Sequence, residues 1–100
     1  MSSRSLPIRL SAKARQDFVD ILRFTGENWG QGQLTAYRSK IDDALSVISR
    51  NPEIGRAAGD LPPSWRLFAV GSHVIVYRIE KARVGVARIL HQRMNLASHL

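Results

Sequence analysis

The sequence predicts an α+β fold in the order β-α-α-β-β-β, with a helical hairpin packed on a small antiparallel sheet. Three observations carry that expectation. Apolar residues recur every three or four positions from Ala12 to Asn51, the spacing of one helical face. From Trp65 to Leu90 the chain turns to short segments rich in β-branched and aromatic residues, which favour strands. Within each half the separators are two or three residues long, so neighbours in sequence should be neighbours in space. One hundred residues make one domain, 1–100, since that length supports a single core.

Pro7–Leu10 reads as a short first strand. Ser11 can cap the first helix, its hydroxyl accepting a hydrogen bond from an early backbone N–H. That helix covers residues 12–29, with Phe18, Leu22, Thr25 and Trp29 on one face and Ile21 beside them. Lys13, Asp17, Asp20, Arg23 and Glu27 lie mainly elsewhere on the cylinder. Gly30-Gln31-Gly32 breaks the helix. A second, residues 33–51, carries Leu34, Tyr37, Ile41, Leu45 and Ile48 at the same spacing. It must end before Pro52, which disfavours helical geometry in its predecessor. Residues 52–64 hold Gly55, Gly59, Pro62 and Pro63 and form a loop. Strands follow at 65–70, 73–80 and 84–90, separated at hairpin spacing by Gly71-Ser72 and Lys81-Ala82-Arg83. Trp29 and Trp65 are expected in core or hairpin packing, and Tyr77 in the core with its hydroxyl at the edge.

The strand HVIVYRIE raises a question of cover. It places Ile75, Tyr77 and Ile79 on one face and Val74 and Val76 on the other. One helical hairpin covers one face only. Either a partner or a second copy covers Val74 and Val76, because soluble monomers seldom expose a large apolar patch, or the loop of residues 52–64 folds over them. The sequence leaves both open.

Charge narrows the partners. The formal net charge is +7, and residues 12–51 carry six basic and five acidic side chains against nine basic and three acidic in the remainder. The excess therefore belongs to the first strand and the C-terminal half. Arginine greatly outnumbers lysine, and its fork suits phosphate or carboxylate. A nucleic acid, a nucleic-acid enzyme or an acidic protein would fit such a field. The near-neutral helices argue against a recognition helix, so no stable direct nucleic-acid binding is expected. There is no cysteine, and the three histidines lack metal-ligand spacing, so neither a metal nor a cofactor is expected. No apolar run approaches the ~20 residues of a membrane span. The first ten residues lack the apolar centre of a secretory signal. No membrane partner and a cytoplasmic location are the expectation.

Four blocks, NWG (Asn28–Gly30), NPEIGR (Asn51–Arg56), HVIVYR (His73–Arg78) and RILHQRMN (Arg88–Asn95), precede a closing His99-Leu100. In order and spacing this set resembles the ParE toxins of the RelE/ParE superfamily, from about Leu6 to Leu100. Two positions depart from the family's habit: Asn95 stands where aspartate is frequent, and Ser72 where a second histidine is common. The resemblance implies the RelE-like arrangement of the fold. It also implies a type II toxin that traps the DNA-cleavage complex of DNA gyrase. A cognate ParD-like antitoxin, whose C-terminal segment wraps the toxin, would keep it silent. On that reading the chain has no substrate and no catalytic residue, and acts by binding one state of another enzyme.

The alternative on the same fold is a RelE-like enzyme that cuts messenger RNA on the ribosome. Cleavage there needs a base, an acid and cations within reach of one phosphate. The parts present are Arg56, Arg66, Arg78, Lys81 and Arg88, with His73, His91 and Tyr77. Alternation sends Tyr77 and Arg78 to opposite faces and parts Arg88 from His91 in the same way, so no compact catalytic cluster is expected. Arg56, Arg66, His73, Val74, Val76, Arg78, Arg88, His91 and Arg93 are instead candidates for contact with target or antitoxin. Arg56 follows Gly55 on a loop, where packing does not explain it. Arg88 and Arg93 have an internal alternative, pairing with Asp60 or Glu80. His73 has one as a turn residue, and His91 as an anchor for the C-terminal tail.

Overall fold

The computed structural model describes residues 5–59 and 61–100. Strand β1 is Ile8–Leu10, helix α1 Ala12–Trp29 and helix α2 Gln31–Arg50. A 3-10 turn, Pro52–Ile54, leads into β2 (Arg56–Ala57), β3 (Trp65–Val70), β4 (His73–Ile79), β5 (Val84–His91) and a closing 3-10 turn, Leu96–His99. The sheet order is β1-β5-β4-β3-β2. The sheet is mixed, not wholly antiparallel, because β1 runs parallel to β5. A parallel pair needs a long crossover, and everything from α1 to β4 supplies it.

Ser11 caps α1: its hydroxyl accepts from the Ala14 N–H at 3.0 Å and donates to the Ala87 carbonyl at 2.7 Å. Gly30 alone separates the helices, so α2 starts at Gln31, earlier than the sequence suggests. A φ of +90° lets it do so, a backbone that glycine adopts without a steric cost. Its N–H bonds the Gly26 carbonyl, and its own carbonyl takes the Leu34 N–H. The buried stripe of α1 centres on Ala14, Phe18 and Ile21, not on Leu22. Trp29, the last helical residue, faces solvent at 70 % exposure. That corrects its expected place in the core, for the last buried position of α1 is Ile21, about two turns before it.

β5 carries one residue too many for β4. Val76 pairs with Arg88 and Tyr77 with Val86, leaving Ala87 unmatched. Such a bulge shifts the alternation of side chains along the strand. Val84, Val86 and Ile89 consequently all join the core beneath the helices, with Ile75, Tyr77, Ile41 and Ile48. A second core lies on the other sheet face: Leu61, Leu67, Val74, Val76 and Leu90, with Trp65 and Leu96 packed against it. The chain covers this face with its own loop and C-terminal turn. Val74 and Val76, at 3 % and 0 % exposure, are therefore interior residues and not a free contact surface.

Tyr77 ties the first 3-10 turn to the sheet. Its hydroxyl donates to the Pro52 carbonyl at 2.7 Å and accepts from the Gly55 N–H at 2.8 Å. Burial raises the phenol above its usual pKa. Gly55 has to be glycine here, since a Cβ would sit 2.5 Å from that hydroxyl, whereas one on Gly59 would meet nothing within 4 Å. Gly55→Ala is expected to cost about 2 kcal/mol or more, and Gly59→Ala less than about 0.5 kcal/mol. Urea unfolding of the two variants checks this; equal midpoints would mean that Gly55 is not held against Tyr77.

Candidate functional site

The cations named by the sequence do not converge. Arg66 donates to the carbonyls of Glu53 at 3.1 Å and Gly55 at 2.8 Å, fixing the first 3-10 turn over β3. Arg88 forks onto Asp17 of α1, with Nε 2.8 Å from Oδ2 and Nη2 2.9 Å from Oδ1. Its Nη1 donates to the His99 carbonyl at 2.6 Å, and Asp17 also accepts the Ile89 N–H at 3.0 Å. The two side chains are only 18 % and 13 % exposed, and Asp17 holds the guanidinium pKa above its usual value. The internal partner of Arg88 is thus Asp17, 71 positions away, and not Glu80; Asp60 lies outside the described residues. Glu80 instead takes Arg83 at 2.6 Å and Arg78 at 3.3 Å. The Arg83 hydrogen bond holds the Glu80 carboxyl below its usual range. Arg78 lies over the Trp65 ring, 5.0 Å from its centroid. Arg56 on edge strand β2 and Arg93 beyond β5 are exposed.

His73 and His91 do come together. They oppose each other across β4 and β5, with rings 5.3 Å apart edge to face. The Tyr37 hydroxyl of α2 lies 2.7 Å from Nδ1 of His73 and accepts the Ser72 N–H at 3.2 Å. His73 is therefore anchored by a helix and is more than a turn residue. His91 accepts the Arg93 N–H at 3.2 Å, which turns the chain toward its C-terminal segment. Both histidines line a cleft of about 670 Å³ with Asp20, Phe24, Trp29 and Tyr37. Phe24 is 62 % exposed. An apolar wall with a few convergent polar groups is the usual form of a binding site. Burial lowers the His73 pKa from 6.5, the neighbouring His91 lowers it further, and Asp17 opposes both. Among the described residues, no group of three or more His, Asp and Glu is placed to hold a metal.

The sequence does not name Phe24, although a large apolar residue off the buried stripe of its helix is a signal of exposure. Tyr37 leaves no such signal. It sits at regular core spacing in α2, and only the tertiary packing brings it to His73.

A helical hairpin on a five-stranded mixed sheet, its second face sealed by loop and C-terminal turn, is the α+β fold shared with toxin chains of the RelE/ParE superfamily. The chain belongs to the ParE family: residues 8–96 match the family described as "ParE toxin of type II toxin-antitoxin system, parDE". It is 36% identical to Toxin ParE1 of Caulobacter vibrioides, over 94% of this chain and 97% of that one. To Toxin ParE1 of Mycobacterium tuberculosis it is 36% identical over 100% of both chains. A chain of the chromosomal ParDE TA system from P. aeruginosa superposes with a TM-score of 0.75 at 13% identity, over 87% of this chain and 96% of that one. The YoeB dimer structure from Staphylococcus aureus gives 0.63 at 19% identity, over 88% and 98%.

Two measurements probe this site. Arg88→Ala strands the Asp17 carboxylate and is expected to cost about 2–3 kcal/mol, and Arg88→Lys recovers only part because an ammonium cannot fork. Full recovery by lysine in urea unfolding would mean that charge alone is at work. The His73 pKa is lower folded than unfolded, so the unfolded chain takes up its proton first. Stability is then full above pH 6.5 and declines as pH falls from there through the folded pKa. Unfolding measured from about pH 8 to about pH 5 should show that decline, flattened in His73→Gln; superimposable profiles would remove His73 as its source.

Proposed function

We propose that this toxin poisons DNA gyrase and is silenced by a ParD-like antitoxin that seats an apolar segment in the Phe24–Trp29 cleft. The observation that carries the antitoxin contact is the exposed rim. Two large aromatic side chains stand in solvent beside a concave site, on a chain that otherwise seals both faces of its sheet. A partner that buries them gains about 25 cal/mol per Å² of apolar surface. Carboxylates on that partner would suit a chain of net charge +7. Membership of a parDE-type system supplies the class of partner.

The separation of the free cations from the histidines supports a poison over a nuclease. A ribosome-dependent nuclease gathers acid, base and cations on one phosphate. Here Arg66 and Arg88 are engaged by the chain itself, and Tyr77 is buried beneath the helices. A binding poison needs no such cluster. It shifts gyrase toward the cleaved state by binding that state more tightly. The cytoplasm is the proposed place of action, and none of the described helices is long and apolar enough to cross a membrane.

Incubating the toxin with gyrase, plasmid DNA and ATP is expected to abolish supercoiling and accumulate linear plasmid, and antitoxin should reverse both. Phe24→Arg should weaken antitoxin binding at least tenfold in calorimetry, about 1.4 kcal/mol, with an unfolding midpoint near wild type. Untouched gyrase beside cut message in a ribosome-programmed translation reaction would assign the chain to the RelE-like nucleases instead.

A further inference from the structure

Far from the cleft, the register lines up a row across four strands. Arg9 on β1 lies opposite Gly85 on β5, Gly85 opposite Arg78 on β4, and Arg78 opposite Trp65 on β3. Directly opposed residues share a face, and Trp65 places this row on the face turned away from the helices. Gly85 leaves a gap in its middle, and the turn between β4 and β5 fills it. The Glu80 carboxylate lies over Gly85, where a Cβ would be 2.5 Å from Oε2. From there it takes Nε of Arg83 at 2.6 Å and Nε of Arg78 at 3.3 Å. The Trp65 indole backs Arg78. Both guanidiniums are thus held by Nε or by a face, and among the described residues nothing bonds their terminal nitrogens. With exposed Arg9 they surround a recess of about 310 Å³, three positive charges against the one of Glu80.

We propose that Arg9, Arg78 and Arg83 form a binding site for backbone phosphates of double-stranded DNA. Phosphate recognition asks for guanidinium forks held in place, and sequence-independent DNA affinity needs only such cations in a row. An acidic peptide is the competing occupant, and the row suits one poorly. Peptide docking relies on apolar anchors in pockets, and Trp65, the large apolar residue here, is already covered by Arg78. The row also stands clear of the cleft. Arg78 is five residues from His73 along β4, about 16 Å, and on the opposite sheet face, so DNA and an occupant of the cleft do not compete. The contact is weak and salt-sensitive, in keeping with the absence of a recognition helix. It goes beyond the gyrase reading, because it gives the toxin its own hold on DNA.

Fluorescence anisotropy of a labelled duplex of about 20 base pairs, titrated with the full chain between about 50 and 200 mM KCl, tests the site. Affinity should fall with salt along a log–log slope of about −2 to −3, one arginine per phosphate. Arg78→Ala combined with Arg83→Ala should lower affinity at least about tenfold at low salt and flatten the slope by about two. Lysine at both positions should restore the salt slope, which follows charge, but only part of the affinity, because an ammonium cannot fork. If the double variant fails to fold, Arg9→Ala alone should flatten the slope by about one. An unchanged slope in the folded variants would overturn the proposal, as would preference for a polyglutamate peptide over the duplex. The assay contains no gyrase, so its failure leaves the gyrase reading standing, and a failed gyrase assay leaves this site standing.

Discussion

The unmatched residue Ala87 sets the side-chain phase of β5, and much of the molecule is arranged around that phase. Val84 and Val86 before it and Ile89 after it all reach the core under the helices, while Leu90 is released to the core on the other face. In a strand of constant phase Ile89 and Leu90 would exchange faces, and each core would lose a member. The bulge is pinned by α1. Ser11 donates to the Ala87 carbonyl, and Asp17 takes the Arg88 guanidinium and the Ile89 N–H. A helix cap, a strand phase and an ion pair are thereby one joint. Arg88 extends it to the C-terminal segment through the His99 carbonyl, and that segment lays Leu96 against the second core.

Elements long enough to show a period were legible in the sequence: both helices, and the three long strands to within a residue or so. β2, two residues long, has no room for a period. The face of α1 was legible to one position, with Ile21 central where Leu22 was expected, because a stripe drawn through Trp29 is rotated by the one residue that escapes burial. The bulge left no mark, since Ala87 is neither glycine nor proline and its neighbours keep a strand-like composition. β1 was visible as a strand but not as a parallel one, because pairing partners are chosen by the whole crossover.

The candidate site was legible in pieces. Hairpin spacing brings His73 to the far end of β5, and the Ala87 bulge then sets it opposite His91. The Tyr37 contact needed the packing of α2 over β4, and Asp17–Arg88 joins residues too far apart for any local pattern. The two apolar faces of HVIVYRIE posed the right question about cover. Its answer lay in Leu61, in an aperiodic loop, and in Leu96, in an aperiodic tail.

A sheet sealed on both faces offers contacts mainly at the ends of its strands, and there the exposed chemistry of this chain divides. One end of β4 carries aromatic and histidine groups around a cleft, and the other carries guanidiniums around a recess. In each place one group is held by another tied to a core: half-buried His73 by Tyr37, and exposed Arg78 by Trp65. Side chains held this way lose less rotamer freedom on binding than free ones, where each ordered long side chain costs about 0.5–1.5 kcal/mol. Flexible contacts adapt to many partners, whereas fixed ones fit one shape and misfit others. Anchored groups at the strand ends, with the interior given over to packing, therefore suit selective contacts at the cleft and at the recess.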